Sequence, residues 1–220
     1  MRRFEKEITR NRQTRLKTFF ALSVLAIVAT VVVYADTLVR ADRDKAVAEL
    51  EGSRQAFLDA TKGLSPAQWN FKPAPNRWSI AECANHIALS EGFIFGVITN
   101  QVMKTPLTPE KREAVKGKDE AVLQILQNRS VKATAPEPID PVKTPMSAEE
   151  SVKKFLAGRA HAIEYVKTTQ DDLRDHFADH PVPAIGTLDA YQWILLMSGH
   201  TRRHTAQILE VKADPNFPKN

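Results

Sequence analysis

Four stretches of this chain repeat apolar residues every three to four positions and none alternates convincingly, so the sequence predicts an all-α fold with essentially no sheet. The first runs from about Asp42 to Lys62, with Val47, Leu50, Phe57 and Leu58 at helical spacing, and stops at Gly63. Pro66, Pro73 and Pro75 exclude a long helix from residues 65–77. Ser79-Ile80-Ala81-Glu82 has the form of a capping box, in which Ser79 and Glu82 satisfy each other's free backbone donors. It opens a second helix, marked by Ile80, Cys83, Ile87, Ile94 and Ile98, that reaches about Met103. A long connection follows over residues 104–145. In it Asp119–Arg129 reads as a short helix, and Ala135 to Pro145, broken by Pro136, Pro138 and Pro141, as an extended strap. A second capping box, Ser147-Ala-Glu-Glu150, starts a third helix with Val152, Phe155, Leu156, Arg159, Ile163 and Val166 on its stripe. The fourth, capped by Thr187 or Asp189, runs to about Lys212 with Trp193, Leu196, Met197, Ile208, Leu209 and Val211 inward. Four amphipathic helices with a long crossover between the second and third describe a four-helix bundle spanning residues 42–212.

The chain of 220 residues carries 43% hydrophobic and 26% charged residues, enough to bury a core, and its one cysteine excludes a disulfide scaffold. Its formal charge of +5 lies entirely in residues 1–17, a basic arm of seven Lys/Arg against Glu5 and Glu7. The body is neutral and has no excess with which to grip phosphates, so no nucleic-acid partner is expected. After the arm come eighteen uncharged residues, Thr18 to Ala35, ~27 Å long as a helix and close to the hydrocarbon thickness of a bilayer. Basic residues before this run and Asp36, Asp42 and Asp44 after it predict a single-pass membrane segment at 18–35, with the domain on the outer side. The alternative is a signal peptide cut after Ala35, which releases the domain as a secreted protein. No cysteine is placed for lipid attachment.

The fourth helix carries His200-Thr-Arg-Arg-His204, two histidines one turn apart that continue the inner stripe. Buried imidazoles without partners cost free energy, and a shared divalent cation removes that cost. His86 sits on the border of the second helix's apolar stripe; it reads either as a hydrogen-bonded core histidine or as a third ligand. Three ligands would leave open positions for water or substrate. The pattern lacks the glutamate that a zincin protease places after its first histidine. His176 and His180, among Asp171, Asp172, Asp175 and Asp179, read as a solvated loop, and His161 as a surface residue. Candidates for supporting roles are Glu82, one turn before His86 but equally explained as a cap, Arg203 for an anionic group, and Gln207 for a water. Cys83 reads as inert packing or as a thiol in a helix's first turn. Trp69, Trp78 and Trp193 read as core and bundle-end packing.

Trp78-Ser-Ile-Ala-Glu82…His86, the proline-rich strap, and Trp193…His200-Thr-Arg-Arg-His204…Gln207-Ile208 resemble the DinB/YfiT-like superfamily over about residues 42–212. The resemblance implies a four-helix bundle in which His86, His200 and His204 bind a divalent metal (Zn, Ni or Mn). It implies an activity on a small-molecule substrate, either metal-dependent hydrolysis or thiol-dependent S-transfer, or else a non-catalytic metal-binding or structural module. Export weakens the S-transfer reading, because reduced small thiols are scarce outside the cytoplasm. A homodimer is compatible with all three.

Overall fold

The computed structural model describes residues 38–128 and 134–219; the expected basic arm and membrane segment lie outside them. Among the described residues no helix is long and apolar enough to cross a membrane.

Four long helices build the fold: α1 (Arg40–Thr61), α3 (Ile80–Asn100), α6 (Ala148–Thr168) and α7 (Ala190–Lys212). Three shorter ones, α2 (Pro66–Asn70), α4 (Arg112–Val115) and α5 (Lys118–Ile125), lie in the connections. α1 packs against α6 and α7, and α3 packs against the same two, so the first two long helices face each other diagonally. Both expected capping boxes form: the Ser79 and Ser147 side chains accept from the backbone N–H of Glu82 and Glu150, whose carboxylates accept in return. Ser65–Gln68 and Asp189–Gln192 make two more, the last fixing Asp189 as the cap of α7.

The expectation of no sheet is corrected by a two-stranded antiparallel ribbon, β1 (Phe177–Asp179) and β2 (Thr187–Asp189), pairing Ala178 with Leu188. Three-residue strands are too short to show alternation. The ribbon turns at Gly186 (φ 70°) and hands the chain directly to α7. Leu209, expected inward, is 51% exposed, because it lies between the inner positions Ile208 and Val211. The crossover holds two short helices, α4 and α5, where one was expected; α5 stops at Ile125, and residue 129 lies outside the described residues. The strap contains one 3-10 turn, Glu137–Ile139.

The core divides in two. One cluster gathers Leu38, Leu50, Ile94, Ile98, Val166, Tyr191 and Leu195; the other gathers Phe57, Ile80, Ile87, Phe155, Ile208 and Val211. In sequence, each long helix passes from one cluster to the other through buried polar residues: Ser53, Glu91, Arg159 and Thr201. His200 and His204 lie on this stretch of α7, whereas His86 sits among the second cluster's residues of α3, between Ala84 and Ile87.

Candidate metal centre

The inner stripe of α7 passes through positions 193, 196, 197, 200 and 204, so helical geometry sends both imidazoles toward α3. There they meet His86. One ring nitrogen from each of the three lies within 4.8 Å of the other two. His86 Nε2 and His200 Nε2 are 3.2 Å apart, and the ring centroids of His86–His204 and His200–His204 are each 4.5 Å apart.

The remaining nitrogens reveal the proton positions. His86 Nδ1 lies 2.7 Å from the Ile139 carbonyl, which can only accept, so Nδ1 carries the hydrogen and Nε2 turns its lone pair to the cluster. His204 Nδ1 donates in the same way to Gln207 Oε1 at 3.0 Å. Burial holds His86 below the ordinary histidine pKa, against the raising effects of the Ile139 bond and nearby Asp140. His200 and His204 lie well below it, first through burial and then through the neighbouring imidazoles, with Arg203 pushing the same way. His200 keeps a partly accessible edge, yet enough protein surrounds it to disfavour its charged form. Burial therefore favours three neutral imidazoles, and the His86 Nε2 lone pair accepts from His200 Nε2 across 3.2 Å.

Such a set fits a divalent transition metal. Two imidazole nitrogens ~2.05 Å from a tetrahedral Zn²⁺ stand about 3.3 Å apart, close to the separation seen between His86 and His200. An all-nitrogen set favours borderline metals such as Zn, Ni, Co or Cu over Mg and Ca. The Trp78 ring covers one side, its centroid 4.9 Å from that of His86 and 5.9 Å from that of His204, so it does more than pack the bundle end.

The other sequence candidates take different places. Glu82 does not orient His86: its carboxylate accepts from the Ser79 backbone N–H at 2.7 Å and from Lys72 Nζ at 2.7 Å. Gln207 holds the His204 ring itself, and Arg203 Nη1 donates to the Leu126 and Asn128 carbonyls. Cys83 is buried in the apolar core. His161 is exposed beside Phe95, as expected. His176 and His180, expected in a solvated loop, are half-buried at the ribbon; His176 Nδ1 bonds the Thr105 carbonyl at 2.7 Å, and His180 stacks 5.2 Å from Trp193. Sequence reasoning missed the Ile139 carbonyl and the Glu91–Arg159 pair. The pair did leave a signal, two charged residues on otherwise apolar stripes.

A diagonal bundle with three neutral imidazoles converging from two helices defines a bundle protein with a three-histidine cluster that could hold a metal ion. The DinB superfamily model matches residues 49–208, and the chain belongs to that superfamily. Protein YuaE of Bacillus subtilis (strain 168), itself uncharacterized, is 25% identical over 151 residues, covering 69% of this chain and 87% of YuaE. The solved structure of Bacillus subtilis YfiT, described as a probable metal-dependent hydrolase with an unusual four-helix bundle topology, is also similar. It is 14% identical with a TM-score of 0.49, over 80% of this chain and 88% of that one.

Proposed function

We propose that this protein is a metal-dependent hydrolase of a small substrate, with His86, His200 and His204 as the ligands. The observation that carries the reading is the convergence of three neutral imidazoles, two of them locked by the Ile139 carbonyl and Gln207 so that Nε2 faces the centre. A divalent ion held there by His86, His200 and His204 would supply Lewis acidity for activating water at neutral pH. The chain's own residues do the rest. His86, His200 and His204 fix the ligand geometry and leave positions open, Trp78 excludes solvent from one side, and the partly accessible edge of His200 marks the direction of approach. The run Thr18–Ala35 and the basic arm before it support a second part of the proposal, that the domain is tethered at the outer face of a membrane.

Elemental analysis of the full-length protein tests the ligand set. The reading expects about one transition metal per chain, lost in the His86→Ala/His200→Ala/His204→Ala variant with secondary structure retained. Equal metal content in the two proteins would refute it. A panel of small ester, amide and phosphoester substrates, run with and without metal, tests the reaction. Turnover by the metal-loaded protein that disappears in the triple variant supports hydrolysis, and its absence across the panel counts against it.

A further inference from the structure

At the polar layer between the two core clusters, Arg159 is 0% exposed and touches all four long helices. Its Nε and Nη2 fork onto Glu91 of α3 at 2.6 and 2.8 Å. Nη1 donates to the Leu50 carbonyl and Ser53 Oγ of α1 at 2.8 and 2.5 Å. Nη2 also reaches Thr201 Oγ1 of α7 at 2.8 Å. The guanidinium is thus fully used. Gly158 makes room for this arrangement, because a Cβ there would stand 3.0 Å from Glu91 Cγ.

Stability explains this pair poorly. Desolvating two charges consumes most of their attraction, and well-packed apolar replacements often stabilise such sites. A planar fork does set geometry, however, and its anchor points lie close to the ligands. Glu91 follows His86 by five residues on α3, and Thr201 directly follows His200 on α7. A slip of one residue between these helices moves a histidine ~1.5 Å along the axis, most of the length of a metal–nitrogen bond. Apolar surfaces tolerate such sliding; a bidentate ion pair with a third hydrogen bond does not.

We infer that the Arg159–Glu91 fork is a positioning device that fixes the shear between α3 and α7 and so holds the three histidines at metal-binding spacing. The inference rests on the metal reading above and concerns residues that touch neither metal nor substrate.

The test is Zn²⁺ affinity of the full-length protein, measured by competition with a chromophoric chelator. Arg159→Met/Glu91→Leu removes both charges together. The two hydroxyls it leaves keep partners, since Ser53 also donates to the Leu50 carbonyl and Thr201 to that of Met197. The double variant is expected to fold and to bind Zn²⁺ at least tenfold more weakly. Arg159→Lys keeps a charge but loses the fork, so it should fall in between. Leu173→Ala, a destabilising change in the other part of the core, should bind as the wild type does. A folded double variant with unchanged affinity overturns the inference, as does equal weakening by Leu173→Ala. Should the double variant not fold, Arg159→Lys decides: it keeps the charge but loses the two-point grip on Glu91, and unchanged affinity there overturns the inference too. A wild-type protein that binds no Zn²⁺, Co²⁺ or Ni²⁺ instead defeats the metal reading itself.

Discussion

Replacing Arg174 by methionine tests whether the helix that carries His200 and His204 is held by electrostatics at its start. Arg174 Nη2 lies 2.7 Å from Asp42 and 2.9 Å from Asp119, Nη1 lies 3.1 Å from Asp189, and the guanidinium sits 3.8 Å above the Tyr191 ring. Asp189, the cap of α7, is 1% exposed. Methionine can still cover Tyr191 but leaves three carboxylates together, one of them buried without a countercharge. Breaking a buried pair in this way costs about 3–5 kcal/mol. For a domain of this size that lowers Tm by about 6–20 °C at pH 7.

The pH dependence follows from the same groups. Burial pushes Asp189 up to about 6 even with Arg174 opposing it. For Asp119, burial acts upward, but the Arg174 hydrogen bond holds it below the ordinary carboxylate range. Without Arg174 both values rise. A carboxyl whose folded pKa exceeds its unfolded one gains protons first in the native state, so its stability is present at low pH and lost as pH rises through the folded value. The variant's deficit should therefore be largest at pH 7–8 and shrink toward pH 5. Calorimetric scans of both proteins at pH 5, 6, 7 and 8 check this. A deficit below about 1 kcal/mol, or one of equal size at pH 5 and pH 8, would refute the reasoning.

Two further outcomes are expected. In metal-free protein, burial keeps His200 and His204 neutral while their unfolded counterparts titrate near 6.5, so near that pH the unfolded chain holds about one more proton. These two should contribute ~1.4 kcal/mol of lost stability per pH unit on acidification there. Denaturant melts of His200→Gln/His204→Gln should show a slope smaller than the wild type's by about that amount, and an unchanged slope would contradict their burial as neutral rings. Phe57, fully buried with its ring 4.9 Å from Phe155, should cost about 3–5 kcal/mol as Phe57→Ala in urea unfolding, and a loss under 1 kcal/mol would contradict the packing described.

Much of this architecture was legible because helices announce themselves locally. Ser79–Glu82 and Ser147–Glu150 state their starts within four residues, and His200 and His204 share a face by spacing alone. What escaped was set by contacts distant in sequence. No local pattern could show that the Ile139 carbonyl, rather than Glu82, would accept from the His86 Nδ1–H. The ribbon escaped because its strands are three residues long and owe their pairing to the turn at Gly186 and to the start of α7. Arg159 was placed correctly on the inner stripe, but its partners come from three other helices, and helical period says nothing about what a buried charge meets.

The carbonyl that fixes the His86 ring belongs to a turn of the strap 53 residues further along the chain, and the neighbouring Asn85 amide ties down the Pro141 and Thr144 carbonyls beside it. The aim of one ligand is therefore delegated to a proline-stiffened segment outside the bundle. Cutting or pulling away that segment would remove the acceptor that fixes the His86 ring and free that imidazole to flip out of the cluster. The crossover is in this sense a latch on the histidine cluster, and proteolytic nicking between residues 134 and 145 would be felt first there.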